Sequence, residues 1–467
     1  MIAATAVAVA CGCWAATPAG ALRPLTPNDA GLVGADDSAS NFKIGEDLQT
    51  RWQPPKDRAS AVRIVTPTEG STVRQHFPAQ AEYLMKPLAE REWYFDGKAN
   101  ARAMSRDGSR PRPIEIRWTG ATDAVRVTVR RLPDGKVFLS ETVVGTNAVA
   151  VDSLEIARDW ELTVADGRSS SCARFRTEDL APRLIRIEGV PNARDLGGWK
   201  GLDGRRIRQG VLFRTSGLND NPPRRYLPGA EVMRLDAEGK LETMEKDGRL
   251  LHQRILHGED FGATASVRVG YLPEKARARL TDAERMRALA AYGFRSDVDL
   301  RRDGECFGMT GSPLGDGVRW HHVPYLPYEI DGEAARDCNR RVFRFLLDPA
   351  NHPAVFHCIG GADRTGTVAC LLEALLGVCE DDLWKDYLAT GFCGTVSNRR
   401  HHDMFAHLMY QLRQRQGRTL SECAEFYFRE LGFSVAEIRA FRDRMLEPAG
   451  GAGTESSCEN HTKGTER

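Results

Sequence analysis

The chain carries no surplus of either charge: 65 Lys and Arg stand against 64 Asp and Glu, for a formal net charge of +1. A general nucleic-acid binder needs a broad cationic surface, so that class is excluded and any affinity for anions must be local. Cysteine is thin and scattered: there are eleven, with no Cys-x-x-Cys pair and no His/Cys group at zinc-ligand spacing. Neither a disulfide scaffold nor a structural zinc site is expected. Beyond the N-terminus no run reaches the roughly 18–20 apolar residues that cross a bilayer, so no transmembrane segment is expected. What is present is a 28% share of charged residues of both signs, typical of a globular surface. A length of 467 residues is too great for one ordinary core, which predicts two folded domains.

Residues 1–21, "MIAATAVAVACGCWAATPAGA", are uncharged and end in small residues. They read as a signal peptide cleaved before Leu22, which predicts a secreted or periplasmic protein; a lipoprotein acylated at Cys11 is the alternative. Loss of Cys11 and Cys13 would leave an odd number of cysteines and so at least one free thiol, for which Cys358 is the candidate. Residues 22–60 read as a polar linker. From 61 to 177 short runs alternate apolar and polar residues, as in "AVRVTVRRL" (124–132), where Val125, Val127 and Val129 fall on one face and Arg126, Thr128 and Arg130 on the other. This is the period of half-buried antiparallel strands, and Pro133-Asp134-Gly135 supplies a hairpin turn. Several such runs predict an all-β sandwich of immunoglobulin or fibronectin III character.

From 183 to 447 helical and strand patterns alternate, predicting an α/β domain with a central mixed or parallel sheet flanked by helices. "LTDAERMRALAAYGF" (280–294) carries a capping box, Thr281 with Glu284, and a terminating Gly293. "RSDVDLR" (295–301) reads as a strand running into a loop and "RVFRFLLD" (341–348) as an amphipathic helix. Residues 219–279 look like a folded insertion, a lid or a surface decoration, and 448–467 look like a disordered tail. The stretch "VFHCIGGADRTGT" (355–367) sets a short buried strand against a core helix with a glycine-containing loop between them. Ile359, Gly360, Gly361, Ala362 and Asp363 can turn successive backbone N–H groups inward as an anion nest, beside the positive end of the following helix. A thiol at that focus, Cys358, should ionise more readily than usual. Arg364 can present a planar two-pronged contact to phosphoryl oxygens, and Thr365 can donate its hydroxyl to a departing thiolate.

His357-Cys358-x5-Arg364-Thr365 resembles the signature loop of the protein tyrosine phosphatase superfamily. The form with Asp before the Arg resembles its bacterial atypical branch, whose members act on phosphotyrosine, phosphoserine/threonine or phosphoinositides. "NARDLGGWKGLDGRRIRQGVLFRTSGL" (192–218) and "DVDLRRDGEC" (297–306) are similar to two further motifs of that branch. The resemblance implies a phosphatase working through a phosphocysteine on Cys358, without metal or other cofactor. Asp363 resembles the branch's loop aspartate and is the first choice for general acid; Asp331, 27 residues before Cys358, is the alternative. Arg194 and Asp195 either contact the loop or pair with each other to brace the Gly-Gly turn, and Asp299 with Arg301 reads as support at a strand end. Branch members often carry Lys where this chain has Ala362, which weakens a phosphoinositide reading. "RRHH" (399–402) could meet a polyanion or be a solvated helix face. The expected partner is a phosphorylated protein or a small phosphoester such as an inositol phosphate, while the sandwich may hold a protein or a polymer. A secreted binding protein with a merely phosphatase-like domain is the remaining alternative.

Overall fold

The structure, a computed structural model, describes residues 61–87, 108–121, 124–219, 280–306, 309–393 and 399–448, together with short strands between 224 and 273. The signal-like segment, the predicted linker and all but the first residue of the predicted tail lie outside the described residues.

The N-terminal unit contains β1 (Arg63–Thr66), β2 (Ser71–Val73), α1 (Pro78–Met85), β3 (Ile114–Thr119), β4 (Ala124–Leu132), β5 (Val137–Val144), β6 (Ala148–Val151), β7 (Asp159–Ala165) and β8 (Ser170–Thr177). Strands β1, β3 and β6 form one antiparallel sheet, and β2-β8-β7-β4-β5 form a second in which only the β2–β8 pairing is parallel. The alternation read in β4 is observed: Val125, Val127 and Val129 are buried while Arg126 and Arg130 face out. They share one core with Ile116 and Trp118 of β3 and with Trp160, Leu162 and Val164 of β7. The turn between β4 and β5 uses Gly135 at φ 68°, where a Cβ would be strained.

Helix α1 departs from the all-β expectation for 61–177. Pro78 occupies its first turn and the Phe77 N–H donates to Gln80 Oε1 at 2.8 Å, a proline-led start. Its Tyr83 and Leu84 bury themselves in the large core of the C-terminal unit, not between the sheets. The Tyr83 ring meets Phe392 edge-on at 5.4 Å. Gln209 also exchanges two hydrogen bonds with the backbone of Ile156, of 2.9 and 3.0 Å, and Arg158 pairs with Glu447. The two units therefore meet through a specifically bonded seam.

The C-terminal unit comprises β9 (Arg194–Asp195), β10 (Leu212–Thr215), the insertion strands β11 (Arg224–Tyr226), β12 (Met233–Arg234), β13 (Glu245–Lys246), β14 (Arg249–Leu250), β15 (His252–Leu256) and β16 (Val267–Pro273), then α2 (Asp282–Tyr292), β17 (Ser296–Asp299), β18 (Arg319–His322), α3 (Glu333–Leu346), β19 (Ala354–His357), α4 (Asp363–Leu375), α5 (Glu380–Leu388), α6 (Arg399–Arg413), α7 (Leu420–Glu430) and α8 (Val435–Met445). In the segment expected to be an insertion, β11, β12 and β15 all pair antiparallel with β16, and β13 pairs with β14. The capping box and the Gly293 stop of α2 are as expected, with Gly293 at φ 64°.

The main sheet has the order β18-β17-β19-β10-β9, its first four strands parallel and β9 antiparallel. Central β19 is wholly buried. The register aligns Thr215, His357, Asp299 and His322 across the four parallel strands. The loops leaving those four residues therefore emerge at one carboxyl edge, where open α/β sheets place their ligands. Among the described residues no helix is long and apolar enough to cross a membrane, and no disulfide joins the described cysteines.

Candidate active site

Cys358 leaves the carboxyl end of β19 and is nearly buried. The loop after it is shaped from outside. The Ile359 carbonyl accepts from the Gly217 N–H at 3.0 Å, the Gly360 carbonyl from Asn192 Nδ2 at 2.9 Å, and the Gly361 carbonyl from an Arg214 guanidinium nitrogen at 2.9 Å. In a trans peptide the N–H points opposite to its C=O. Three carbonyls drawn outward thus turn the N–H groups of Gly360, Gly361 and Ala362 to the other side of the loop. Gly361 has φ +69°, and a Cβ there would sit 2.5 Å from the Thr215 carbonyl oxygen, so only glycine fits. Helix α4 starts at Asp363 and adds its N-terminal dipole. Such a concave set of donors can receive an oxyanion over the Cys358 sulfur.

The Arg364 guanidinium donates to Glu305 Oε2 at 2.6 Å and to the Leu300 carbonyl at 3.3 Å, which fixes its approach to the loop mouth. Thr365 is fully buried and its hydroxyl meets no partner among the protein atoms described, which leaves a donor in the first turn of α4. His357 lies between two carboxylates, Nε2 at 3.0 Å from Asp297 and Nδ1 at 4.0 Å from Asp299, all fully buried. Burial opposes a charged imidazole, but Asp299 and Asp297 outweigh it and raise His357 above its ordinary value.

Asp299 and Arg301 form the expected strand-end support, bonded at 2.8 and 2.6 Å. Burial would raise the Asp299 carboxyl, yet His357 and Arg301 together hold it well below the usual carboxylate range. Arg301 also donates to Asn219 Oδ1 at 2.8 Å, which ties the end of the segment after β10 to β17.

The two acid candidates stand in different settings. Asp363 accepts a hydrogen bond from the Tyr328 hydroxyl, which lies 2.7 Å from the Tyr387 hydroxyl. Burial raises the Tyr328 phenol above its ordinary value, so it stays a donor. Asp331 is half exposed and ion-paired to Arg415. The hydrogen bond from Arg415 keeps its carboxyl below the ordinary value, which disfavours it as a proton donor at neutral pH.

Arg194 and Asp195 do not pair with each other. They are successive residues of β9, and successive side chains of a strand project to opposite faces. Asp195 is 2.9 Å from Arg183 and accepts from the N–H groups of Gly197 and Gly210 at 2.8 and 2.7 Å; of the two residues it is the one that braces the Gly-Gly turn. Arg194 turns the other way, to Asp386 at 2.8 Å and to the Asn192 side chain. Arg214 shares Asp386. Asn192, Arg214, Gly217, Glu305 and Asp386 are thus site-building residues that sequence reasoning passed over. The first four lie inside the motifs at 192–218 and 297–306, and that placement was the available signal. Nothing local marked Asp386.

Residues 185–226 and 261–447 match a family model described as "Tyrosine phosphatase family", and this part of the chain belongs to that family. Over 212 residues the chain is 27% identical to the "Putative tyrosine-protein phosphatase" of Cupriavidus necator, covering 44% of this chain and 62% of that one. Over 76 residues it is 32% identical to an inositol diphosphatase of Oryza sativa subsp. japonica, covering 15% of this chain and 34% of the relative. The chain thus spans less than two thirds of the length of either curated relative.

Proposed function

We propose that the protein is a cysteine-dependent phosphomonoester hydrolase acting on phosphotyrosine proteins, alone or with phosphoserine and phosphothreonine. The observation that carries this reading is the loop at the end of β19, where three outward-tied carbonyls leave the N–H groups of Gly360, Gly361 and Ala362 on the opposite side. In the first step Cys358 Sγ attacks phosphorus, the bond from phosphorus to the ester oxygen breaks, and that oxygen takes a proton from Asp363. The loop N–H groups and Arg364 hold the equatorial oxygens. In the second step water attacks the phosphocysteine, Asp363 takes up its proton, and the sulfur leaves as thiolate, receiving the Thr365 hydroxyl as a hydrogen-bond donor.

The test is hydrolysis of a panel of phosphopeptides, inositol phosphates and phosphoinositides in the presence of a chelator, wild type against Cys358→Ser. Turnover that the chelator removes, or full activity in Cys358→Ser, would sink the thiolate mechanism. A preference for inositol phosphates would move the substrate to the second reading, favoured by the inositol diphosphatase relative. Activity in no arm would favour a binding role.

The two-sheet unit fits a sandwich of immunoglobulin or fibronectin III character that holds a protein or polymer. A binding screen of the full chain against immobilised polysaccharides and proteins tests it, and failure to retain any of them counts against it. Export rests on residues 1–21, which read as a signal sequence. N-terminal sequencing of the mature protein decides, and an intact Met1 would refute cleavage.

A further inference from the structure

The loop carbonyl ties come from three places, and one of them does not stand on the C-terminal unit alone. Asn192, whose side chain draws out the Gly360 carbonyl, sits at φ 59°. That is the left-handed region, which asparagine enters at a cost that local bonds must offset. Its own N–H donates to Ser109 Oγ at 2.8 Å. Ser109 belongs to the N-terminal unit and is itself buried. The turn that carries it is gripped from behind by α1: Gln80 Nε2 donates to the Gly108 carbonyl and reaches the Arg110 carbonyl at 3.3 Å. On its other side the Arg112 N–H donates to the Gln75 carbonyl at 2.7 Å, and Arg110 reaches Glu188 at 3.0 Å. Helix α1 is in turn anchored in the C-terminal core by Tyr83.

We infer that the N-terminal unit is a positioning element of the active site, with Ser109 holding Asn192 so that the Gly361 N–H stays aimed at the bound oxyanion. The inference rests on the phosphatase reading for its chemistry but not for its geometry. Ser109 touches no reacting atom; it acts through Asn192, and Asn192 acts through the peptide joining Gly360 to Gly361. If Ser109 Oγ is removed, a buried N–H is left without its acceptor and the strained Asn192 backbone loses a restraint. Relaxation there swings Nδ2 off the Gly360 carbonyl and tilts one of the three inward donors. A donor that matters most when charge accumulates on the phosphoryl oxygens affects the transition state more than substrate capture.

The experiment uses the full chain, with p-nitrophenyl phosphate as substrate and orthovanadate as the oxyanion probe. Wild type, Ser109→Ala and Ser109→Thr are compared well below each variant's unfolding midpoint. Ser109→Ala is expected to lower kcat roughly 10-fold and to weaken vanadate by a similar factor, the scale on which small misplacements act, with KM moving less. Ser109→Thr, which keeps the hydroxyl, should restore both. Wild-type kcat and vanadate affinity in folded Ser109→Ala would overturn the relay, and so would failure of threonine to rescue. Absence of turnover in wild type would overturn the phosphatase reading instead, and the vanadate affinities would still decide the relay. If Ser109→Ala does not fold, Asn192→Asp replaces Nδ2 with an oxygen facing the Gly360 carbonyl and must show the same weakening; unchanged vanadate affinity in it overturns the inference.

Discussion

The two sides of the Cys358–Arg364 loop treat charge in opposite ways. Behind it, Arg194, Arg214 and Asp386 are about 1% exposed and bonded to one another or to backbone. Glu373 joins them, its carboxyl raised far above the usual value by burial and by Asp386. In front, Arg364 and Glu305 form an ion pair that remains 12% and 14% exposed. A buried charge network gains little net stability, because desolvation consumes most of the attraction, but losing one member leaves its partners stranded. Such a network suits a part that must not move. Among the described residues Glu305 is the carboxylate paired with Arg364, so on the proposed reading a phosphoryl group has that one ion pair to displace. The charges that build the site are thus separated from the charge that binds in it.

The largest effect expected in front of the loop is on proton transfer. Asp363→Asn should reduce kcat by roughly 10²–10⁴-fold on a phosphate ester with a poor leaving group, whereas Asp331→Asn should stay near wild type, since Arg415 holds that carboxylate ionised. Pre-steady-state kinetics on both variants would expose the reverse order, which would move the acid to Asp331. Behind the loop the largest effect is on stability. Asp386→Ala removes the carboxylate that Arg194 and Arg214 share, and chemical denaturation should show a loss of about 3–5 kcal/mol. A loss confined to activity would mean that the network is not structural.

The smallest of the three effects concerns the seam. His76 is buried and its Nε2 lies 2.9 Å from the Pro182 carbonyl, where a neutral ring donates. Burial depresses it from 6.5 to about 4. The folded state therefore binds this proton less readily than the unfolded state. The associated stability is fully present above about pH 6.5 and drains away as pH falls toward about 4, amounting to roughly 3 kcal/mol at most. His76→Gln should flatten the denaturation free energy across that window. An unchanged slope would place the acid sensitivity elsewhere.

Much of the fold was legible because its signals are local. The alternation in β4, the capping box of α2 and the apolar run of α4 lie within a few residues of one another, and the chemistry of Cys358, Arg364 and Thr365 is written in one loop. What escaped is long-range. Asn192 and Gly360 are 168 residues apart, Arg214 and Gly361 are 147 apart, and Ser109 reaches Asn192 across 83; no periodicity encodes such pairs. The Arg194–Asp195 pairing failed for a local reason, since adjacency along a strand separates side chains. Helix α1 escaped because it is eight residues long, about two turns, inside a region whose pattern is otherwise strand-like. The sandwich expectation and the helix are compatible, because α1 spends its apolar face on the neighbouring unit.

Because the anion seat is assembled from peptide groups tied by their carbonyls, its shape is largely indifferent to the side chains mounted on it. Gly361 is the exception, hemmed in by Thr215 and Asn192, while a Cβ at Gly360 would meet nothing within 4 Å. The loop therefore has room for a side chain at one position and none at the next. On the proposed phosphatase reading, a side chain added at 360 would change what the loop presents to a substrate without disturbing the peptide groups that form the seat.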